Sequence, residues 1–404
     1  MGPSFSCYGK AYSASFAGAA ALFVTGIGFG LSGALLLLHS EQNNIAIWPG
    51  LRRRVSESKE ETSCQAPPIR DDFMDLIGNT PMVVIQSLSK ETGCRILGKC
   101  EYLNPGGSSK DRVAKNIVRE AEEQGYLKEG GTIVEGTSGS TGISLAQVAR
   151  SRGYSCCIVM PDDQAKEKRD LITALGAKIK LVKPAAIVNQ NHYVNEARKL
   201  ANGIPGGFFA NQFETMANFR AHALYTGPEI WKQTSGNIDA FVMSSGTGGT
   251  IAGVGSFLKA KNPRIQVVLA DPPGSSLYHK INSGVLYTDE QAEKTQKRHR
   301  YDTITEGVGI DRLTTNMAAG LASIDEAYRV SDEETASMAR YILKNDGLFL
   351  GSSAALNLVV AKKVAKQLGP GHTVVTILCG SGSRELTKLH NPDFIEKELK
   401  IRIQ

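Results

Sequence analysis

The sequence predicts an α/β protein of two lobes, each built on a mostly parallel sheet with flanking helices, preceded by an N-terminal transmembrane helix. Three observations carry this expectation. From about residue 70 onward, short apolar runs alternate with helix-period segments, the pattern of repeated β-α-β units. About 330 residues follow that point, which exceeds one sheet on the usual domain scale and implies two lobes with a cleft between them. Before it, Ala11 to Leu38 carries no charged residue, and a bilayer is crossed by about 20 apolar residues.

The N-terminal run ends in Leu35 to Leu38 and contains Gly26 and Gly30, spaced as a helix-pairing GxxxG. A signal peptide would start with a basic cluster, and only Lys10 precedes this run. A matrix-targeting peptide would be rich in arginine, and none occurs before Arg52. Arg52, Arg53, Arg54 and Lys59 follow the run, so the positive-inside rule places the remainder of the chain in the cytosol. The expected division is an anchor over 1–40, a polar linker over 41–69 and a catalytic domain over 70–404.

Composition excludes several classes. Hydrophobic residues make up 41% of the 404 and glycines number 42, which fits a globular protein with many tight turns. The net charge of +6 is spread out, apart from Arg52 to Arg54 and Lys297 to Arg300. Neither run is interleaved with aromatics, so nucleic acid is not an expected partner. The cysteines are Cys7, Cys64, Cys94, Cys100, Cys156, Cys157 and Cys379. Their odd number and lack of metal-type spacing point to reduced thiols and no metal. Cys156 and Cys157 lie in an apolar strand and read as core. Asp162 and Asp163 read as a solvated turn, because neighbouring strand residues face opposite sides.

Strands are expected over Pro81–Ile85, Thr132–Val134, Ser155–Met160, Lys178–Val182, Ala240–Met243, Gln266–Ala270 and Thr373–Leu378. Helices are expected over Ala114–Gln124, Ile143–Arg152, Lys166–Leu175, Asn191–Ala201, Gly227–Gln233, Ile251–Lys261, Asp332–Asn345 and Ala354–Leu368. Three glycine-rich turns fall at strand-to-helix junctions, where open α/β sheets bind ligands. Glu135 to Gly142 offers small residues whose amides and hydroxyls suit a carboxylate. Ser245 to Thr250 has the form of a phosphate cradle at a helix N-terminus, without the lysine of a nucleotide loop. The third turn is Cys379 to Ser383. A fourth turn, Asn104 to Arg112, ends in Lys110 at a helix start. The helix dipole there disfavours an ammonium and favours a neutral, nucleophilic amine, the form that makes an imine; an ordinary surface lysine is the alternative.

With these residues placed, the stretch from about Asp72 to Leu386 resembles the cysteine synthase and cystathionine β-synthase family of pyridoxal phosphate enzymes, fold type II (tryptophan synthase β-like). The ordered matches are Leu76 to Pro81, Asn104 to Arg112, Glu135 to Gly142, Gly153 to Pro161, Leu175 to Ala177, Asn211 to Phe213, Thr226 to Trp231, Gly246 to Thr250, Glu306 to Gly309 and Gly351 to Ala354. Within the family the chain is most similar to fungal, mitochondria-associated cysteine-synthase-like proteins. That implies a transferase of cysteine biosynthesis at the mitochondrial outer membrane, or in the matrix after cleavage, and a homodimer. The lobes would be about 104–216 (smaller) and 82–103 with 217–404 (larger).

The resemblance also implies roles. Lys110 would be the Schiff-base lysine. Gly246, Thr247, Gly248, Gly249 and Thr250 would hold the cofactor phosphate. Ser140 and Gly307 would border the cofactor, and Ser381 would face its pyridine nitrogen. Thr137, Ser138, Gly139, Thr141 and Gln212 would bind the substrate carboxylate. The reaction implied is β-replacement of O-acetylserine by sulfide, through a Schiff base and an aminoacrylate. The chain departs from the family at Ser140 (usually Asn), at Cys379-Gly380 (usually Pro-Ser or Pro-Asp), at Asp271 (often Glu) and in a longer, more charged Leu277 to Thr305. It leaves no room for the regulatory domain of many cystathionine β-synthases. Alternatives are serine and homocysteine condensation, a serine or threonine dehydratase, or a membrane-tethered scaffold with a decayed site. His222 reads as a structural histidine, and His192, His279, His299 and His372 as surface residues.

Overall fold

The computed structural model describes residues 68–288 and 303–399. The expected anchor, nearly all of the linker and the basic run at 297–300 lie outside them. Among the described residues no helix is long and apolar enough to cross a membrane. From Arg70 onward the chain forms one compact unit.

In chain order the first elements are β1 (Met82–Val84), α1 (Gln86–Thr92), β2 (Arg95–Lys99), α2 (Lys110–Glu123), β3 (Thr132–Gly136), α3 (Ser140–Ser151), β4 (Ser155–Pro161) and α4 (Lys166–Ala174). There follow β5 (Lys178–Val182), α5 (Tyr193–Gly203), β6 (Gly207–Phe209), α6 (Met216–Ala221), a π-helical turn (His222–Thr226), α7 (Gly227–Gln233), β7 (Ala240–Ser244) and α8 (Gly249–Lys261). The last are β8 (Gln266–Asp271), α9 (Leu277–Ser283), α10 (Thr315–Gly320), β9 (Glu326–Arg329), α11 (Asp332–Asp346), α12 (Ser352–Leu368), β10 (Thr373–Ile377) and α13 (Pro392–Leu399).

Two sheets result. One has the order β1-β2-β10-β7-β8-β9, the other β5-β4-β3-β6. Every pairing is parallel except that of β1 with β2. The parallel sheets predicted from the alternating pattern are therefore present. The central strand β7 is buried at all five positions, as a strand covered on both faces must be. Its residues alternate between two cores. Ala240 and Val242 pack with Ile96, Val268 and Val374 under α11 and α12. Phe241 and Met243 pack with Leu97, Val267 and Val375 toward α8. The smaller sheet does the same, with Ile133 and Ile158 on one face and Val134 and Val159 on the other. Each such fully buried side chain contributes roughly 1.5–3 kcal/mol.

The structure departs locally from the sequence reading. β2, β6 and β9 were not anticipated, because Gly207–Phe209 is very short and the other two carry charged residues at their ends. Helices α2, α3 and α8 begin two to four residues before their first periodic apolar residue. Their opening turns are polar or glycine-rich and have no hydrophobic period to read. His192 is a correction: it is buried, and its Nδ1 accepts the Val194 amide at 3.2 Å as the N-cap of α5.

Candidate active site

The C-terminal ends of β2, β3, β7 and β10 lead into loops that face one cavity. With its open mouth the cavity holds about 900 Å³ free of protein atoms. Lys110, Thr137, Ser138, Ser140, Thr141, Gln212, Gly246, Thr247, Gly248, Thr250, Gly307 and Ser381 all line it. Of the residues singled out from sequence, Gly139 and Gly249 are not among those that line it.

Lys110 is the first residue of α2. Burial pushes its amine below the ordinary lysine range, with Cys379 and Glu101 pulling the other way. Its Nζ has only a long contact, 3.5 Å, to Ser109 Oγ. The other lysine on the cavity wall, Lys168, is ion-paired with Glu306. Lys110 is thus the amine disposed to be neutral and nucleophilic, as its place on the helix dipole predicts.

The turn that carries Lys110 is fixed by buried charges. Arg112 binds Glu101 at 2.7 Å and Glu229 at 2.7 Å. Lys99, wholly buried, reaches Glu229 at 2.7 Å and the Thr80 carbonyl at 2.6 Å. Two cations face two carboxylates, so the cluster is neutral as a whole. Asn104 ties the turn to the chain before it, accepting the Gly78 amide at 2.9 Å and donating to Glu101 at 2.9 Å. Asp111 takes the Gly106 amide at 2.6 Å and the Ser144 hydroxyl at 2.5 Å. The motif Asn104 to Arg112 is thus a scaffold of buried polar bonds with one free amine at its end.

After β3, Gly139 adopts φ 137°, and a Cβ there would strike the Lys168 side chain. Only glycine makes this turn readily. Thr137 Oγ1 accepts the Gly139 amide at 3.2 Å, and Thr141 donates to Gln212 Oε1 at 2.6 Å. Ser140 opens α3 and lines the cavity.

After β7, Gly248 takes φ 83° and turns the chain into α8. The opening amides of a helix have no intrahelical acceptor, and here they lie at the wall formed by Gly246, Thr247, Gly248 and Thr250. A Cβ on Gly246 would collide with the Gly307 carbonyl, and one on Gly249 with Asn218. Asn218 donates to Thr247 Oγ1 at 2.8 Å. His222 bridges Thr226 Oγ1 at 3.0 Å and Thr250 Oγ1 at 3.1 Å. Burial brings its imidazole down to about 3, so it is a neutral support for Thr250, in keeping with the structural reading.

After β10, Ser381 lies beside the cavity with its Oγ accepting the Ser383 amide at 3.2 Å. Lys168, Arg384 and Glu385, not singled out from the sequence, and Glu306, noted there only as the start of a matched motif, also line the wall. Lys168 comes from α4, Glu306 from the segment before α10, and Arg384 and Glu385 from the turn after β10. No local pattern links them.

Residues 73–380 match the family described as pyridoxal-phosphate-dependent enzymes. The chain belongs to that family. A cysteine synthase 2 of Schizosaccharomyces pombe is 52% identical over 366 residues, 87% of this chain and 92% of that one. A Saccharomyces cerevisiae protein, provisionally named a mitochondrial cysteine synthase, is 51% identical over 332 residues, 80% of this chain and 84% of that one. Among solved structures, an O-ureido-L-serine synthase superposes with a TM-score of 0.69 at 32% identity, covering 80% of this chain and 95% of that one.

The cavity fits the cofactor of the pyridoxal-phosphate-dependent family. An aldehyde needs an amine, and Lys110 supplies it. A phosphate needs amide and hydroxyl donors, and the start of α8 with Thr247 and Thr250 supplies them. Ser244 Oγ, on the cavity wall, is buried with no partner among the described residues, which is a place for a further polar bond to a bound group.

Proposed function

We propose that the chain is a cysteine synthase that replaces the acetoxy group of O-acetylserine with sulfide. The carrying observation is that the amine of Lys110, the N-terminus of α8 and the Thr137 to Thr141 loop with Gln212 open onto one cavity. In this reading Lys110 holds the cofactor through its amine. With its amine free, Lys110 would take the α-proton of the substrate and later return it. Gly246 to Thr250 hold the phosphate. Ser140 and Gly307 border the cofactor. Ser381, a neutral group, would face the ring nitrogen. Thr137, Ser138, Gly139, Thr141 and Gln212 receive the substrate carboxylate. The cofactor, when bound, supplies the electron withdrawal that makes the α-proton removable.

Purified protein with cofactor should form cysteine from O-acetylserine and sulfide. Cystathionine from serine and homocysteine in preference to cysteine, or pyruvate release as the main product, would overturn the assignment.

We also infer that the uncharged run from Ala11 to Leu38 anchors the protein in a membrane, with the catalytic unit facing the cytosol. Full-length protein should resist alkaline extraction from membranes and be lost from them when residues 1–40 are removed. Recovery of the intact chain in the soluble fraction would sink this.

A further inference from the structure

Gln212 is held from behind by a group that the proposed chemistry does not use. Glu135, in β3, is fully buried. Its Oε2 accepts the Gln212 main-chain amide at 3.2 Å, and its Oε1 accepts the Gln212 side-chain amide at 3.4 Å. The same side-chain amide donates to the Gly136 carbonyl at 3.2 Å. Both amide protons are then committed, which turns Gln212 Oε1 toward Thr141. The main chain at Gln212 has other anchors, because its carbonyl accepts Asn218 at 2.9 Å and Asn316 at 3.0 Å. What Glu135 adds beyond these is the orientation of the side-chain amide.

A carboxyl in the middle of a sheet core is costly, and an apolar residue would pack there without that cost. Burial pushes Glu135 up to about 8, against the pull of the Gln212, Gly136 and Asn211 donors. We propose that Glu135 is a positioning residue for the carboxylate end of the substrate: it sets the Gln212 amide and, through it, the Thr141 hydroxyl. The inference rests on the reading of Thr141 and Gln212 as the carboxylate site.

The test compares steady-state kinetics of the holoenzyme with those of its Glu135→Met, Glu135→Gln and Gln212→Ala variants. Glu135→Met keeps the length and removes both acceptors. It should raise KM for O-acetylserine about tenfold or more, with kcat within about threefold. Its cofactor absorbance should match that of the parent protein. Glu135→Gln keeps one carbonyl acceptor and should bring KM back to within about threefold. An unchanged KM in Glu135→Met, or an equal rise in both variants, overturns the proposal. If Glu135→Met does not fold, Glu135→Asp, which keeps the acid but withdraws it from the amide, should show the same rise in KM, and an unchanged KM there is equally decisive. If Gln212→Ala leaves KM unaltered, the carboxylate reading fails and the inference with it. If Gln212→Ala raises KM and Glu135→Met does not, the inference alone fails.

Discussion

Replacing Lys110 by alanine is expected to lower kcat by roughly a thousandfold or more and to abolish covalent retention of the cofactor. Both effects have one cause. Among the cavity-lining residues the lysines are Lys110 and Lys168. Lys168 is ion-paired with Glu306, both side chains being nearly buried. Tied up in that pair, it is not disposed to take over as nucleophile. Among the described residues Lys110 has no carboxylate within ion-pair distance, and burial favours its neutral form. Lys110→Arg should not rescue activity, because a guanidinium stays protonated and does not form an imine. Borohydride reduction followed by peptide mapping checks the claim. A reduced cofactor on Lys168 of the unmodified protein, or a Lys110→Ala enzyme within tenfold of the parent rate, would refute it.

Glu101→Gln is expected to destabilise the protein by about 3 kcal/mol, the scale of a buried pair that loses one partner. Glu101 is wholly buried, and burial alone would raise its pKa. Arg112, by charge and hydrogen bonds, together with the Thr80 hydroxyl and the Lys99 charge, outweighs that and brings it from 4.5 to about 2. A folded value below the unfolded one means the ionised form is stabilised by folding. This contribution is fully present above about pH 4.5 and drains away as pH falls toward about 2. The variant should therefore differ most from the parent near neutrality, and the gap should narrow in acid. Urea-unfolding midpoints of the holoenzyme at pH 7 and pH 4 measure both statements. Equal midpoints at pH 7 would show that Glu229 alone suffices to hold Arg112.

Much of the site could be read from residue order. Lys110 after a glycine turn, and glycine-rich turns after Val134, Met243 and Leu378, mark strand ends that carry backbone donors. Those features are local: a turn needs particular residues at particular positions, and the sequence displays them. Glu135 was visible in its motif but gave no sign of what it would hold. Its partner Gln212 is 77 positions away, and hydrogen bonds at that separation leave no periodic trace. The same applies to Lys99, Glu101, Arg112 and Glu229. Arg112 and Glu229 stand in separate motifs and Lys99 and Glu101 in none, yet together they are a buried neutral cluster under the Lys110 turn. His192 was misread for the same reason: a histidine between polar residues gives no hint that packing buries it as a helix cap.

The sequence by itself determined the alternation of strands and helices, the parallel sheets, the three ligand-type turns and the family, because each follows from local period, turn chemistry or ordered motifs. The tertiary structure decided which of those turns meet, where the walls between them are charged, and which side chains stand behind the site. Convergence of four strand ends on one cavity depends on how two sheets pack, and packing is a balance of contacts between residues far apart in the chain.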